Sequence, residues 1–169
     1  MKSENRNRDQ RTGSLLISVL IPLLVGAFSA LLTSSAMKTY GSMQHPPLSP
    51  PAWVFPVVWT FLYLLMGTAA YLVRISTDDS RRMRKAFALY AAQLIMNFFW
   101  SILFFKYGLY LIAFIWLLVM WLLTIMCAVR FYRINRAAGS MMWLLVMWTT
   151  FAAYLNLASY IISIAPAAA

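Results

Sequence analysis

Five runs of apolar residues, at 15–37, 53–73, 83–105, 109–129 and 141–164, each approach the roughly 20 residues with which an α-helix crosses about 30 Å of hydrocarbon. Backbone N–H and C=O groups in hydrocarbon find no water, so such runs are confined to helices or to a closed barrel. Barrel strands alternate apolar and polar residues, and these runs do not. The fold class that follows is an all-α integral membrane protein, a five-transmembrane-helix bundle. It forms one membrane domain over 15–164, after a basic cytoplasmic tail at 1–14 that is too polar to pack and before a short C-terminal tail at 165–169. Composition agrees: 63% of the 169 residues are apolar and 11% charged, more apolar surface than a soluble domain of this length can cover.

The net charge of +10 invites a nucleic-acid partner, but its distribution argues for a lipid bilayer and no nucleic acid. Twelve of the 14 Lys and Arg residues lie in the N-terminal tail and in the second and fourth loops, and only Lys38 and Lys106 on the other side. This bias places the N-terminus in the cytoplasm and the C-terminus outside. The tail, the first apolar run and Ser34-Ser35-Ala36 imitate a signal peptide. The run from Leu15 to Leu32 is longer than a typical apolar signal region of about 7–15 residues, so the first span is expected to stay uncleaved.

All four acidic residues, Glu4, Asp9, Asp78 and Asp79, lie outside the spans, and no Lys, Arg or His lies deep within one. Ion-coupled pumps keep an ionisable group at membrane depth. Acid–base catalysis, nucleophilic triads and zinc sites need carboxylate, His or Cys clusters that this chain does not supply, so no metal site is expected. Cys127 is the only cysteine.

The spans hold instead neutral polar and aromatic residues at helical spacing. Gln93, Asn97 and Ser101 share one face beside Trp100, while Phe55, Trp59, Tyr63, Gly67 and Tyr71 form a second stripe and Trp148, Ala152 and Asn156 a third. Amides facing lipid are costly, so these faces should turn inward, either as cross-helix glue worth about 1 kcal/mol per bond or as the polar points of a pocket. Aromatic walls with few polar groups suit a flat, mostly apolar ligand. Gly26, Ala30 and Ser34 form a small-residue stripe on the first span that allows close helix approach, within the bundle or, by slight preference, between protomers. Between the first two spans, His45-Pro46-Pro47-Leu48-Ser49-Pro50-Pro51 predicts a stiff extended segment, since proline fixes φ and pushes its predecessor into extended backbone. It serves either as a helix starter or as a preformed lid over a cavity.

The stretches "PPLSPPAWVFPVVWTFLYLLMG" (46–67), "YAAQLIMNFFWSILFF" (90–105) and "WTTFAAYLNLASY" (148–160) resemble the TspO/MBR family, the tryptophan-rich sensory proteins that include the mitochondrial translocator protein. The resemblance covers about 15–163 and implies a five-helix bundle, usually dimeric, with a cavity opening toward the first loop. It further implies porphyrin or other tetrapyrrole binding, with sterols and drug-like ligands bound by the animal members. Carried over by motif, the pocket positions are Pro50, Pro51, Trp59, Tyr63, Asn97, Trp100, Ser101, Trp148, Ala152 and Leu155. Tyr40, His45 and Trp53 are added as contacts from the first loop. His45 is a solvated loop residue, a propionate contact or a haem ligand.

Porphyrin or haem is then a ligand and no cofactor is required. The leading function is a tetrapyrrole-binding sensor or carrier acting as a homodimer. The alternatives are a light-dependent porphyrin-degrading activity, with Trp59 and Trp148 as its catalytic residues, and a small-molecule or sterol transporter. The chain departs from the family pattern at Thr39, at His45 before the first proline pair, at Leu48 and at Leu144-Leu145.

Overall fold

The computed structural model describes residues 2–40 and 46–165, and the side chains of 11–36 and 46–165. Five helices follow one another, α1 (Lys2–Tyr40), α2 (Val54–Ser76), α3 (Ser80–Ser101), α4 (Tyr110–Ile134) and α5 (Arg136–Ile164), and a π-helical turn (Ile102–Lys106) ends α3. All five are long and apolar enough to cross a membrane, and the described residues form no strand. The all-α five-helix class expected from the apolar runs is the one observed.

The helices overrun the apolar runs at their polar ends. α1 reaches back to Lys2, a departure from the disordered tail expected above. Lys, Glu, Arg and Gln are good helix formers, and they extend a helix already nucleated in the apolar run. The basic loop expected at 130–140 shrinks to Asn135, which serves two helices at once. Its Oδ1 accepts the Ala138 N–H at 3.0 Å, capping α5, while its Nδ2 donates to Ser76 Oγ at the end of α2, 2.9 Å away. Asp79 caps α3 in the same manner, accepting from the Arg81 and Arg82 N–H groups at 3.0 and 3.1 Å.

The first loop also differs from expectation. From Pro46 it forms a turn, closed by the Ser49 N–H on the Pro46 carbonyl at 3.2 Å, with Leu48 left-handed at φ 65°. Proline is favoured at the second position of such turns, so the Pro46-Pro47 pair starts a reversal. A second turn, closed by the Val54 N–H on the Pro51 carbonyl at 2.9 Å, leads into α2.

α5 packs most extensively on α4, α1 on α2, and α3 on α4. Two apolar clusters fill the interior. One centres on Met66, Val73, Phe131, Met142 and Leu145, the other on Phe55, Trp100, Phe104, Leu117 and Met120. Trp59 and Trp148 pack against both and so lie at their junction. The neutral polar stripes do turn inward: Gln93, Asn97, Thr124, Thr149 and Asn156 are buried.

α1 stands apart, with 11% of its most apolar window buried against 33–39% for the other four helices. It is drawn onto α2 by two close approaches. Pro22 has no N–H to give the Ser18 carbonyl four residues earlier, and that carbonyl faces Gly67. A Cβ on Gly67 would meet Val19 Cα and lie 2.7 Å from Ser18 O, so only glycine fits. A Cβ on Gly26 would meet the Tyr63 ring. The stripe expected by slight preference between protomers is therefore used, at Gly26, inside the bundle.

Gly67→Ala should push α1 off α2 and cost about 1–3 kcal/mol, as overpacking does in a filled contact. Gly13→Ala, where an added Cβ meets nothing within 4 Å, is the control. Thermal unfolding in detergent measures both; equal Tm values for the two variants would contradict the close contact.

Candidate functional site

Tyr63 and Asn97 start the site. The Tyr63 hydroxyl donates to Asn97 Oδ1 at 3.0 Å, joining α2 to α3 in a buried setting. One turn along α3, the Trp100 indole N–H donates to Asn156 Oδ1 at 3.1 Å, and Asn156 Nδ2 donates to the Tyr110 carbonyl at 2.7 Å. Asn156 thus joins α3, α4 and α5. Two more indoles stitch the same helices: Trp116 donates to the Met96 carbonyl at 2.8 Å and Trp121 to Thr150 Oγ1 at 2.8 Å. Because these partners come from different helices, the aromatic rings cannot rotate freely.

The rings held this way form a continuous wall. Trp59 lies 5.7 Å from Tyr63 and 6.1 Å from Trp100, centroid to centroid. Trp100 stacks on Phe104 at 5.5 Å, and Phe55 contacts both Phe105 and Trp148 edge-on at 6.4 and 6.2 Å. Such offset and edge contacts suit the ring quadrupoles.

Between this wall and α1 runs a groove. Its outer part, about 310 Å³, lies between Leu20, Leu24 and Ala27 of α1 and Pro56, Trp59 and Tyr63 of α2. An inner recess of about 60 Å³ continues past Ser29 and Thr33 to Phe55, Ser101 and Phe105. The two share Gly26, Ala30, Pro56, Trp59 and Tyr63, and no residue lining either is ionisable at neutral pH. The groove opens sideways where α1 is thinly packed.

The sequence-predicted residues separate into three groups. Trp59, Tyr63 and Ser101 line the groove. Trp100, Ala152 and Leu155 surround a nearly filled void of about 10 Å³ with Phe55, Phe104 and Phe105, one layer behind. Asn97 stands behind Tyr63 as its bonding partner, and Trp148 braces Phe55. Pro50, Pro51 and Trp53 precede α2 and line neither cavity; Trp53 is 67% exposed. The Tyr40 side chain and His45 lie outside the described residues. The loop is nonetheless tied to the bundle, since the Tyr154 hydroxyl donates to the Pro47 carbonyl at 2.9 Å. Sequence reasoning missed Ser29 and Thr33, whose residue types give no signal, and left Gly26 and Ala30 between the bundle interior and, by slight preference, a surface between protomers. Phe55 was visible in the α2 stripe.

Fold and groove define a class: a polytopic helical membrane protein with an uncharged, aromatic recess among its spans. The chain belongs to the TspO/MBR family, whose model matches residues 18–161. It is 30% identical over 144 residues to "Tryptophan-rich protein TspO" of Chlorobaculum tepidum, covering 85% of this chain and 91% of that protein. It is 35% identical over 117 residues to "Tryptophan-rich sensory protein" of Cereibacter sphaeroides, covering 69% and 72%. The bovine "Translocator protein" is 35% identical over 88 residues, covering 51% and 52%.

Asn156→Leu should lower stability by about 1–3 kcal/mol, because it leaves the buried Trp100 N–H without its acceptor and removes the bond to the Tyr110 carbonyl that ties α5 to α4. Tyr63→Phe removes a single neutral bond and should cost less. Thermal unfolding in detergent, followed by tryptophan emission, compares the two; a Tyr63→Phe effect equal to or larger than that of Asn156→Leu would contradict this hierarchy.

Proposed function

We propose that this chain is a membrane tetrapyrrole-binding sensor or carrier that takes a flat, mostly apolar ring system into the groove between α1 and α2. The observation that carries the reading is the aromatic wall of Trp59 and Tyr63 facing an uncharged, laterally open groove of about 310 Å³. That volume is at the lower end of the roughly 300–1,000 Å³ typical of small-molecule sites, and α1, which forms one wall, is the least buried of the five helices. Gly26 lies against the Tyr63 ring, so a ligand ring reaches this part of the wall through Trp59 and the groove-side edge of Tyr63. Ser29 Oγ, on the recess wall, has no hydrogen-bond partner among the described residues and can meet a polar edge.

The Pro-rich loop acts as a lid anchored through Pro47 to Tyr154. Its prolines limit the conformations lost on closing, which favours a preformed cover. The charge bias puts the lid outside and the N-terminus in the cytoplasm. A homodimer would bury a face other than Gly26.

The names of the relatives, tryptophan-rich sensory protein and translocator protein, fit a sensor or carrier. One observation favours a second reading, light-driven degradation of the porphyrin with dioxygen as oxidant. Trp59 stands on the groove wall and continues to Trp100 at 6.1 Å, so a porphyrin bound in the groove would have oxidisable indoles beside it.

Absorbance titration with protoporphyrin, in darkness and under illumination, tests both readings. Wild type should bind in the dark and leave the ligand intact. The Trp59→Phe, Trp148→Phe double variant should bind several-fold more weakly, since stacking contributes roughly 0.5–1.5 kcal/mol beyond area burial. Absence of dark binding by wild type contradicts the proposal. Ligand loss in the light that the double variant abolishes would favour degradation.

A further inference from the structure

At the opposite end of the bundle from the lid, a second cavity of about 260 Å³ is lined by Arg82, Arg130, Arg133 and Ile134. Arg82 opens α3, while Arg130 and Arg133 sit three residues apart in the last turns of α4. Only Arg82 has a carboxylate partner: its Nε lies 3.2 Å from Asp79 Oδ2. Among the described residues Arg130 and Arg133 have none.

A cation near a helix C-terminus is stabilised by the macrodipole, which accounts for Arg133 taken alone. It does not account for three exposed guanidinium groups from two helices around one cavity, of which only Arg82 has a carboxylate partner, so that Arg130 and Arg133 present donors an anion can bridge. The volume is several times the ~30 Å³ share of a water molecule. Guanidinium groups pair bidentately with phosphate oxygens, a geometry an ammonium cannot offer.

We propose that this cavity is a binding site for a phosphodiester, supplied by the headgroup of an anionic phospholipid. The shared chemistry is a phosphate oxyanion, and position favours the lipid over a soluble phosphate. The cavity lies where the spans end, and Ile134 forms its apolar side. Ile75 and Tyr132, both exposed, end α2 and α4 at the same level and offer apolar surface to glycerol and the first acyl carbons. Basic pockets between helix ends at this depth are suited to anionic headgroups. The site is separate from the groove and does not depend on what the groove binds.

Native mass spectrometry of the full chain with phosphatidylglycerol or phosphatidylcholine tests this. Wild type should retain phosphatidylglycerol in preference to phosphatidylcholine. Arg130→Gln with Arg133→Gln should weaken that retention by about tenfold, the loss expected for charge-assisted pairs. Arg84→Gln with Lys85→Gln removes the same charge from exposed positions outside the cavity and should leave retention near wild type. Arg130→Lys with Arg133→Lys, which keeps the charge and the fold, should fall between.

Equal losses in the two Gln pairs would mean general electrostatic attraction and overturn the site, as would retention unaffected by Arg130 and Arg133. Displacement of the lipid by millimolar inorganic phosphate would assign the cavity to a soluble anion and overturn the lipid source.

Discussion

An amide within a membrane span finds no water there, and the arrangement of this bundle depends on two that pair across helices, Asn97 and Asn156. Gln93 and the Asn97 Nδ2 stay without a partner among the described residues. Asn156 pairs by accepting from Trp100 and donating to the Tyr110 carbonyl, so one side chain on α5 fixes α3 and α4. Asn97 accepts from Tyr63 and brings α2 into the same layer. Each bond is worth only about 1 kcal/mol, but breaking one leaves a buried partner unpaired, which costs more than the bond supplies. The rings attached to these bonds are thereby positioned, and the aromatic wall is a consequence of polar pairing as much as of packing.

α1 obeys a different rule. It is pressed to α2 where backbone meets backbone, at Ser18 and Val19 against Gly67 and at Gly26 against the Tyr63 ring. Pro22 frees the very carbonyl that faces Gly67, and glycine accepts that approach because it has no Cβ. Away from these points α1 leaves a groove whose other wall is Trp59 and Tyr63.

The fold was legible in the sequence because each apolar run is long, and length decides a membrane span almost by itself. The ends were not. Polar residues such as Arg130 and Arg133 look like loop in a hydropathy profile yet continue α4 to Ile134, since helix propensity does not fall when hydropathy does. The inward direction of Gln93, Asn97 and Asn156 could be read from the cost of an amide in lipid. The partners of Asn97 and Asn156 could not, because pairing is a tertiary fact.

Motif resemblance reached Trp59, Tyr63 and Ser101 on the groove and Trp100, Ala152 and Leu155 one layer behind. It was silent about Ser29 and Thr33, which contribute only because Gly26 lets α1 come close. Leu48 was another such case: its left-handed φ of 65° belongs to a turn that a run of prolines does not announce.

The most direct measurement is an experimental structure of the protein with bound protoporphyrin in a lipid environment. The macrocycle should lie between α1 and α2, in van der Waals contact with Trp59 and Tyr63, with α1 displaced outward and the Tyr63–Asn97 and Trp100–Asn156 bonds intact. A macrocycle on the outer surface of α4 or α5, or one that enters only after the Trp100–Asn156 bond has broken, would contradict a groove held open by polar pairs behind its wall.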